Sequence, residues 1–270
     1  MNRQARIFEK SVGSVLKILT ADGGVGTGFL AREDGLILTA RHVVASGRIV
    51  KAQDRTGNDF TCKVVKSDRS TDVAALAFTP GERPVGRRPL DLCKCDASKI
   101  PVGRRAIAIG NPAECSDFSF SNGYISASSN GNGTNGDSLM QLNMSVNWGN
   151  SGGPVILLNG DVCGMAIQVS FQCDGHRNEG VSKAVPSNIL NSFISSIPNL
   201  DEGLNGQKYC GVCGNLVPDR KYCDHCGIEF PSIEDEAKFV ARTFGCPACG
   251  DPIKTEEQKY CDSCGTRVCP

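Results

Sequence analysis

Residues 149–154 read Gly-Asn-Ser-Gly-Gly-Pro, a serine set between glycines just ahead of the apolar run 155–158. Glycine takes positive φ at no Cβ cost, so such a turn can bend sharply enough to present the Ser151 hydroxyl. The same bend can aim the amides of Gly149 and Ser151 at one point. Two N–H groups converging there stabilise the oxyanion that forms when a hydroxyl attacks a carbonyl. A plain glycine-rich β-turn has this composition too, so the nucleophilic reading needs a base and an acid elsewhere in the chain. His42 follows the strand-like run 35–39, which puts its ring at a domain edge; a structural histidine would also fit there. Asp72 abuts the apolar run 73–76, and an acid against a buried strand is costly without a partner such as an imidazolium. Asp68, in the same loop, is the competing acid.

A second chemistry sits at the other end of the chain. Of 15 cysteines, eight form four Cys-x-x-Cys pairs after residue 209, each pair followed by glycine. Cys210 and Cys213 with Cys223 and Cys226 make one set; Cys246 and Cys249 with Cys261 and Cys264 make another. Two such knuckles bring four thiolates together, the donor set of a closed tetrahedral Zn²⁺ site. The reading is therefore two structural zinc ions, one in each of two small ribbons, with no cofactor for catalysis. A pair of redox disulfides is the alternative. His225 lies inside a knuckle that Cys226 already completes, and Cys269 is a spare thiol. Each ribbon is too short to fold on apolar burial alone, so metal and fold form one equilibrium. From residue 208 onward eight Lys/Arg face ten Asp/Glu, and each Zn(Cys)₄ centre adds further negative charge. Such a surface is a poor phosphate binder, so the tail reads as a protein-docking module rather than a nucleic-acid module.

These groups need elements to position them. The chain has 270 residues, 31 glycines and no net charge, which favours many short strands and gives no general pull toward nucleic acid or anionic membrane. Strand-like runs cover 12–20, 25–30, 35–39, 49–53, 60–65, 73–78, 104–110, 119–126, 139–146, 155–158, 161–169 and 180–185, with turns between them. Such spacing points to an all-β domain of Greek-key barrels. Ser187 reads as the cap of a closing C-terminal helix with Ile189, Leu190, Phe193, Ile194 and Ile197 on one face. Cys62, Cys115, Cys163 and Cys173 lie in apolar surroundings and read as buried thiols, and Cys93 and Cys95 as structural. The organisation expected is a main domain over 1–198, a linker over 199–207, a first ribbon over 208–228, a helical connector over 229–245 and a second ribbon over 246–270. Residues 1–10 are polar and hold no apolar core, and no apolar run is long enough to span a membrane. On that ground the chain is expected to be cytoplasmic, with its cysteines reduced or metal-bound.

The order His42, Asp72, Ser151 is that of the chymotrypsin-type triad. The segments GVGTGFLAREDGLILTARHVV, VVKSDRSTDVAALAF, VGRRAIAIGNP, GNSGGPVILLNGDVCGMAIQ and GVSKAVPSNIL resemble, in order and spacing, the Deg/HtrA branch of the trypsin-like peptidases. The resemblance covers roughly residues 12–197. It implies two six-stranded chymotrypsin-like β-barrels with the active site between them, His42 and Asp72 from the first barrel and Ser151 from the second. It implies serine endopeptidase chemistry on a protein or peptide substrate, with Gly149 and Ser151 as the oxyanion hole. It places Ser145 at the base of the pocket for the residue before the scissile bond, Gly180 beside it, and Ile167, Gln168 and Val169 along its wall. With no acid at the base and a valine on the wall, that pocket suits a small or medium aliphatic side chain. Relatives are often oligomers. Asn150 replaces the aspartate with which digestive zymogens receive a new N-terminus, so activation by that cut is not expected. The other reading is a protease-fold adaptor without turnover.

Overall fold

The structure is a computed structural model of the chain. It describes residues 1–20, 23–45, 49–79, 81–84, 86–94, 99–112, 117–127, 139–167, 172–173, 176–177, 182–202, 207–209, 216–218, 220–225 and 227. Two closed barrels form its centre. The first is built from β1 (Val15–Leu19), β2 (Val25–Leu30), β3 (Ile37–Ala40), β4 (Ile49–Gln53), β5 (Asp59–Asp68) and β6 (Val73–Phe78). The second uses β7 (Arg105–Gly110), β8 (Ser119–Ala127), β9 (Met140–Asn143), β10 (Pro154–Leu157) and β11 (Val162–Ile167). A short hairpin, β12 (Gln172–Cys173) with β13 (His176–Arg177), precedes its last strand, β14 (Ser182–Pro186). Counted along the chain, the strands of each barrel close in the same order, 1-2-3-6-5-4. The expectation of two six-stranded barrels is met.

Side-chain alternation explains how the barrels adhere. On β7, Ala106 and Ala108 point into the second barrel with Met140, Leu142 and Val155. Ile107 and Ile109, one residue out of phase, point away and join the core of the first barrel. Ile156 does the same on β10 while Val155 and Leu157 face inward. On β7 the small residues face the barrel and the large ones face the seam. Fully burying each seam isoleucine stabilises by about 2 kcal/mol.

Both ends of this domain differ from the sequence expectation. The N-terminal stretch read only as polar forms helix α1 (Arg3–Ser11), capped by the Asn2 side chain, which accepts a hydrogen bond from the Ala5 amide at 2.8 Å. Ile7 is buried against the barrels, and Phe8 stacks on Phe120 at 5.3 Å. Helix α2 (Ser187–Ser195) follows β14 and buries Leu190 and Phe193. Its N-cap position is Pro186, and the buried Ser187 hydroxyl makes no cap, so the capping role expected of Ser187 is corrected.

Beyond α2 the chain returns to the first barrel. Arg32 donates to the Ile197 and Pro198 carbonyls, and Asp34 accepts the Leu200 amide at 2.8 Å. The start of the stretch read as a linker is therefore fastened down. A further hairpin, β15 (Gln207–Tyr209) with β16 (Leu216–Pro218), opens the cysteine-rich region. Among the described residues no helix is long and apolar enough to cross a membrane.

Candidate active site

His42 leaves the end of β3 on a single 3-10 turn, Arg41–Val44. Val43 and Val44 are buried and anchor the turn, while the His42 side chain stays 44% exposed. Val43 needs the space that glycine leaves at position 26, where a Cβ would lie 2.4 Å from it.

Asp72 sits in the turn between β5 and β6 with φ +56°, the one non-glycine residue at positive φ among those described. Aspartate tolerates this region better than most residues, yet such strain persists only where surrounding bonds enforce it. Three do so here. The Asp72 carbonyl accepts the Arg41 amide at 2.9 Å, its Oδ1 accepts the His42 amide at 2.9 Å, and its Oδ2 lies 2.6 Å from His42 Nδ1. A carboxylate on Nδ1 holds the neutral ring's proton there and leaves Nε2 as the acceptor. Asp68, the competing acid, is occupied by its own loop: Ser70 donates to it through both amide and hydroxyl. Burial pushes the Asp68 carboxyl up, but hydrogen bonds from Ser70 and Thr71 outweigh burial and hold it below the ordinary carboxylate range.

Ser151 stands in two consecutive tight turns, closed by Asn150 N–H to Asn147 at 3.0 Å and by Gly153 N–H to Asn150 at 3.0 Å. Gly149 (φ +92°) and Gly152 (φ +88°) hold the third position of each, the place where a type II turn requires positive φ. This is the physical reason for the spacing of glycines around the serine. Gly153 is needed for space instead, because a Cβ there would lie 2.1 Å from the Ile109 carbonyl. Asn150 packs on Gly110.

The serine turn docks on the first barrel, on the strand that carries His42. A Cβ at Gly152 would lie 2.1 Å from the Thr27 carbonyl, 2.5 Å from Thr39 Oγ1 and 2.8 Å from the Ala40 amide nitrogen. Thr27 is the joint. Its amide donates to the Ser151 carbonyl at 2.8 Å and its hydroxyl to the Gly149 carbonyl at 2.6 Å, while that hydroxyl accepts the Asn111 amide at 3.0 Å. Sequence reasoning passed over Thr27; the only signal was a hydroxyl flanked by Gly26 and Gly28 in an otherwise apolar strand. It also passed over Trp148, the single tryptophan of the chain, which stands 75% exposed on the rim beside Gly149.

Of the pocket residues, Ser145 is exposed and Ile167 is buried at the end of β11. The Ser182 hydroxyl accepts the Val146 amide and donates to the Met144 carbonyl, fixing the segment that carries Ser145. Gln168, Val169 and Gly180 lie outside the described residues. So do Cys210, Cys213, Cys226, Cys246, Cys249, Cys261 and Cys264, which leaves Cys223 as the described member of the ligand set. Cys223 is buried, and its carbonyl accepts the amide of Gly227, whose φ is +71°. Cys62 and Cys163 are buried free thiols, as expected; desolvation pushes the Cys163 thiol up to about 12. Cys115 and Cys95 are outside the described residues, as is the Cys173 side chain.

The fold and site define a class. The profile of the trypsin-like peptidase domain matches residues 26–165, and the chain belongs to that family. Its relatives place it on the DegP/HtrA branch. It is 34% identical to the magnetosome formation protease MamE of Paramagnetospirillum magneticum, over 63% of this chain and 23% of that protein. It is 28% identical to a probable periplasmic serine endoprotease, DegP-like, of Marinomonas, over 70% of this chain and 38% of that protein. The chain thus spans well under half the length of these relatives. The crystal structure of the serine endoprotease from Yersinia pestis shares the fold, with a TM-score of 0.59 and 24% identity over 73% of this chain and 66% of that one.

The cytoplasmic expectation does not stand. Five relatives, the Marinomonas protein among them, are named as periplasmic. The expectation rested on a polar N-terminal stretch, and that stretch is a helix of the folded domain, polar because one face meets water. The reduced or metal-bound state expected of the cysteines followed from the cytoplasmic reading, and Cys93 is instead disulfide-bonded.

Proposed function

We propose that this protein is a serine endopeptidase acting through Ser151, His42 and Asp72. The observation that carries the reading is the 2.6 Å contact between His42 Nδ1 and Asp72 Oδ2, beside a serine turn docked on the strand that leads to His42. Ser151 Oγ attacks the carbonyl carbon of the scissile peptide as its proton passes to His42 Nε2. The developing oxyanion is held by the Gly149 and Ser151 amides, each contributing about 3–4 kcal/mol to the transition state. His42 then protonates the leaving amine, and water, deprotonated by the same ring, releases the acyl group. Asp72 keeps the tautomer and stabilises the imidazolium. The pocket formed by Ser145, Ile167, Gln168, Val169 and Gly180 selects a small or medium aliphatic residue before the cut.

The tail holds two zinc ions, one on Cys210, Cys213, Cys223 and Cys226, the other on Cys246, Cys249, Cys261 and Cys264. The donor set suits zinc, and the Gly227 turn behind Cys223 is the backbone that a Cys-x-x-Cys-Gly knuckle needs. Zinc there is structural, and the ribbons dock a substrate or regulatory protein. A fluorophosphonate probe tests the catalytic reading: it labels wild type and fails on Ser151→Ala. Labelling elsewhere, or none on zinc-loaded protein that cleaves no peptide, overturns it.

A further inference from the structure

A groove of about 610 Å³ opens between α1 and the turn that follows β10, and a second of about 300 Å³ adjoins it, sharing Arg3 and Leu158. Neither belongs to the catalytic site. β10 carries the Ser151 turn at one end and residues 158–161 at the other. β7 runs antiparallel beside it, with Gly110 near Asn150 and Arg105 at the grooved end.

The walls are basic. Arg3, Arg6 and Lys10 stand three and four residues apart on one face of α1, and Arg104 and Arg105 approach from the start of β7. Arg3 is spent on the Leu158 carbonyl at 2.8 Å, and Arg105 lies over the Tyr124 ring. The side chains of Arg6, Lys10 and Arg104 have no hydrogen bond or ion pair among the described residues. Between the cations the lining is mixed, with Ile7, Leu90 and Leu158 beside Ser11 and Asn159. Asp91 and Asp161 interrupt the positive field, which disfavours a polyphosphate with a charge at every step.

We propose that this groove is a docking site for an acidic, partly apolar peptide segment of a protein. Its cations suit Asp and Glu side chains, and Ile7, Leu90 and Leu158 suit aliphatic side chains between them. The site lies at the end of the second barrel away from the serine turn, so occupancy does not compete with substrate. The inference is independent of the peptidase reading, and its test reads binding alone.

The test uses full-length Ser151→Ala protein and a fluorescein-labelled peptide of about twelve residues alternating Glu and Leu, followed by fluorescence anisotropy. We expect saturable binding that weakens with salt, and weakens about tenfold or more in Arg6→Glu/Arg104→Glu. Lys63→Glu, on β5 of the first barrel, makes the same charge change as each groove substitution and leaves binding as in the parent. Loss of binding in Lys63→Glu equal to that in the double variant overturns the site, as does absence of binding. Tighter binding of a thymidine oligonucleotide or of inorganic polyphosphate than of the peptide overturns the ligand class. Self-association that the double variant abolishes in the absence of peptide assigns the groove to a second copy and also overturns it.

Discussion

At the scale of single residues, the catalytic apparatus depends on groups whose conformations are imposed by backbone partners. Asp72 holds an unfavourable φ because the Arg41 and His42 amides clasp it from two sides. Asp72→Asn keeps the shape but presents the wrong group to Nδ1, so turnover of a peptide substrate is expected to fall about 10⁴-fold with KM little changed. Steady-state kinetics across the variant checks this, and a fall of less than tenfold would remove Asp72 from the mechanism. Thr27 offers a subtler test, because it touches no substrate. Its hydroxyl holds the Gly149 carbonyl, next to the proposed oxyanion site. Thr27→Val preserves volume and leaves the Gly149 carbonyl and Asn111 amide unpaired, a loss of about 1–3 kcal/mol. The expected outcome is a lower Tm together with a fall in kcat that exceeds any rise in KM. Ser151 with its glycines, His42 and Asp72 were singled out in the sequence because each sits in a local pattern. Thr27 was not, because its value lies in reaching across the seam to a loop 122 residues away.

At the scale of elements, the serine turn is a device with little tolerance. Gly152 needs both its φ of +88° and the absence of a Cβ that would strike the Thr27 carbonyl. Gly152→Ala is expected to cost about 3 kcal/mol or more and to abolish labelling of Ser151 by a fluorophosphonate. Retained labelling at wild-type rate would show that the turn relaxes without moving the hydroxyl. The strands were readable because alternation and turn residues survive in the sequence. Helix α1 was not, because Arg3, Arg6 and Lys10 dominate its composition and only Ile7, Phe8 and Ser11 betray the buried face. The barrel walls also explain why two apolar alternations fit one strand: β7 serves the second barrel with its alanines and the seam with its isoleucines.

At the scale of the whole molecule, two buried carboxylates set the acid limit. Burial pushes Asp54 up, but hydrogen bonds from Thr56 and Asn58 and the charge of Arg87 outweigh it and hold the carboxyl below the usual range. Burial likewise opposes Asp34, and the bonds from Arg32, Leu200 and Leu36 prevail. Both groups therefore release protons more readily in the folded chain than in the unfolded one. The stability they contribute is complete above the ordinary carboxylate value of about 4 and is lost as pH falls through the lower folded value. Urea melts between pH 6 and pH 3 should show this slope, and Asp54→Asn should flatten it. Chelation supplies a matching test of the tail: removing zinc with a strong chelator should unfold the ribbons while the Tm of the barrels stays within about 2 °C. The overall barrel order followed from the resemblance, but the fastening of residues 197–200 did not, since Arg32 and Asp34 read only as a turn. That fastening runs from the second barrel's last helix to a hairpin of the first. The two barrels are thus belted as well as glued. A chain cut between 202 and 207 keeps its belt and should keep its catalytic alignment, whereas one ending at Ser196 should gape.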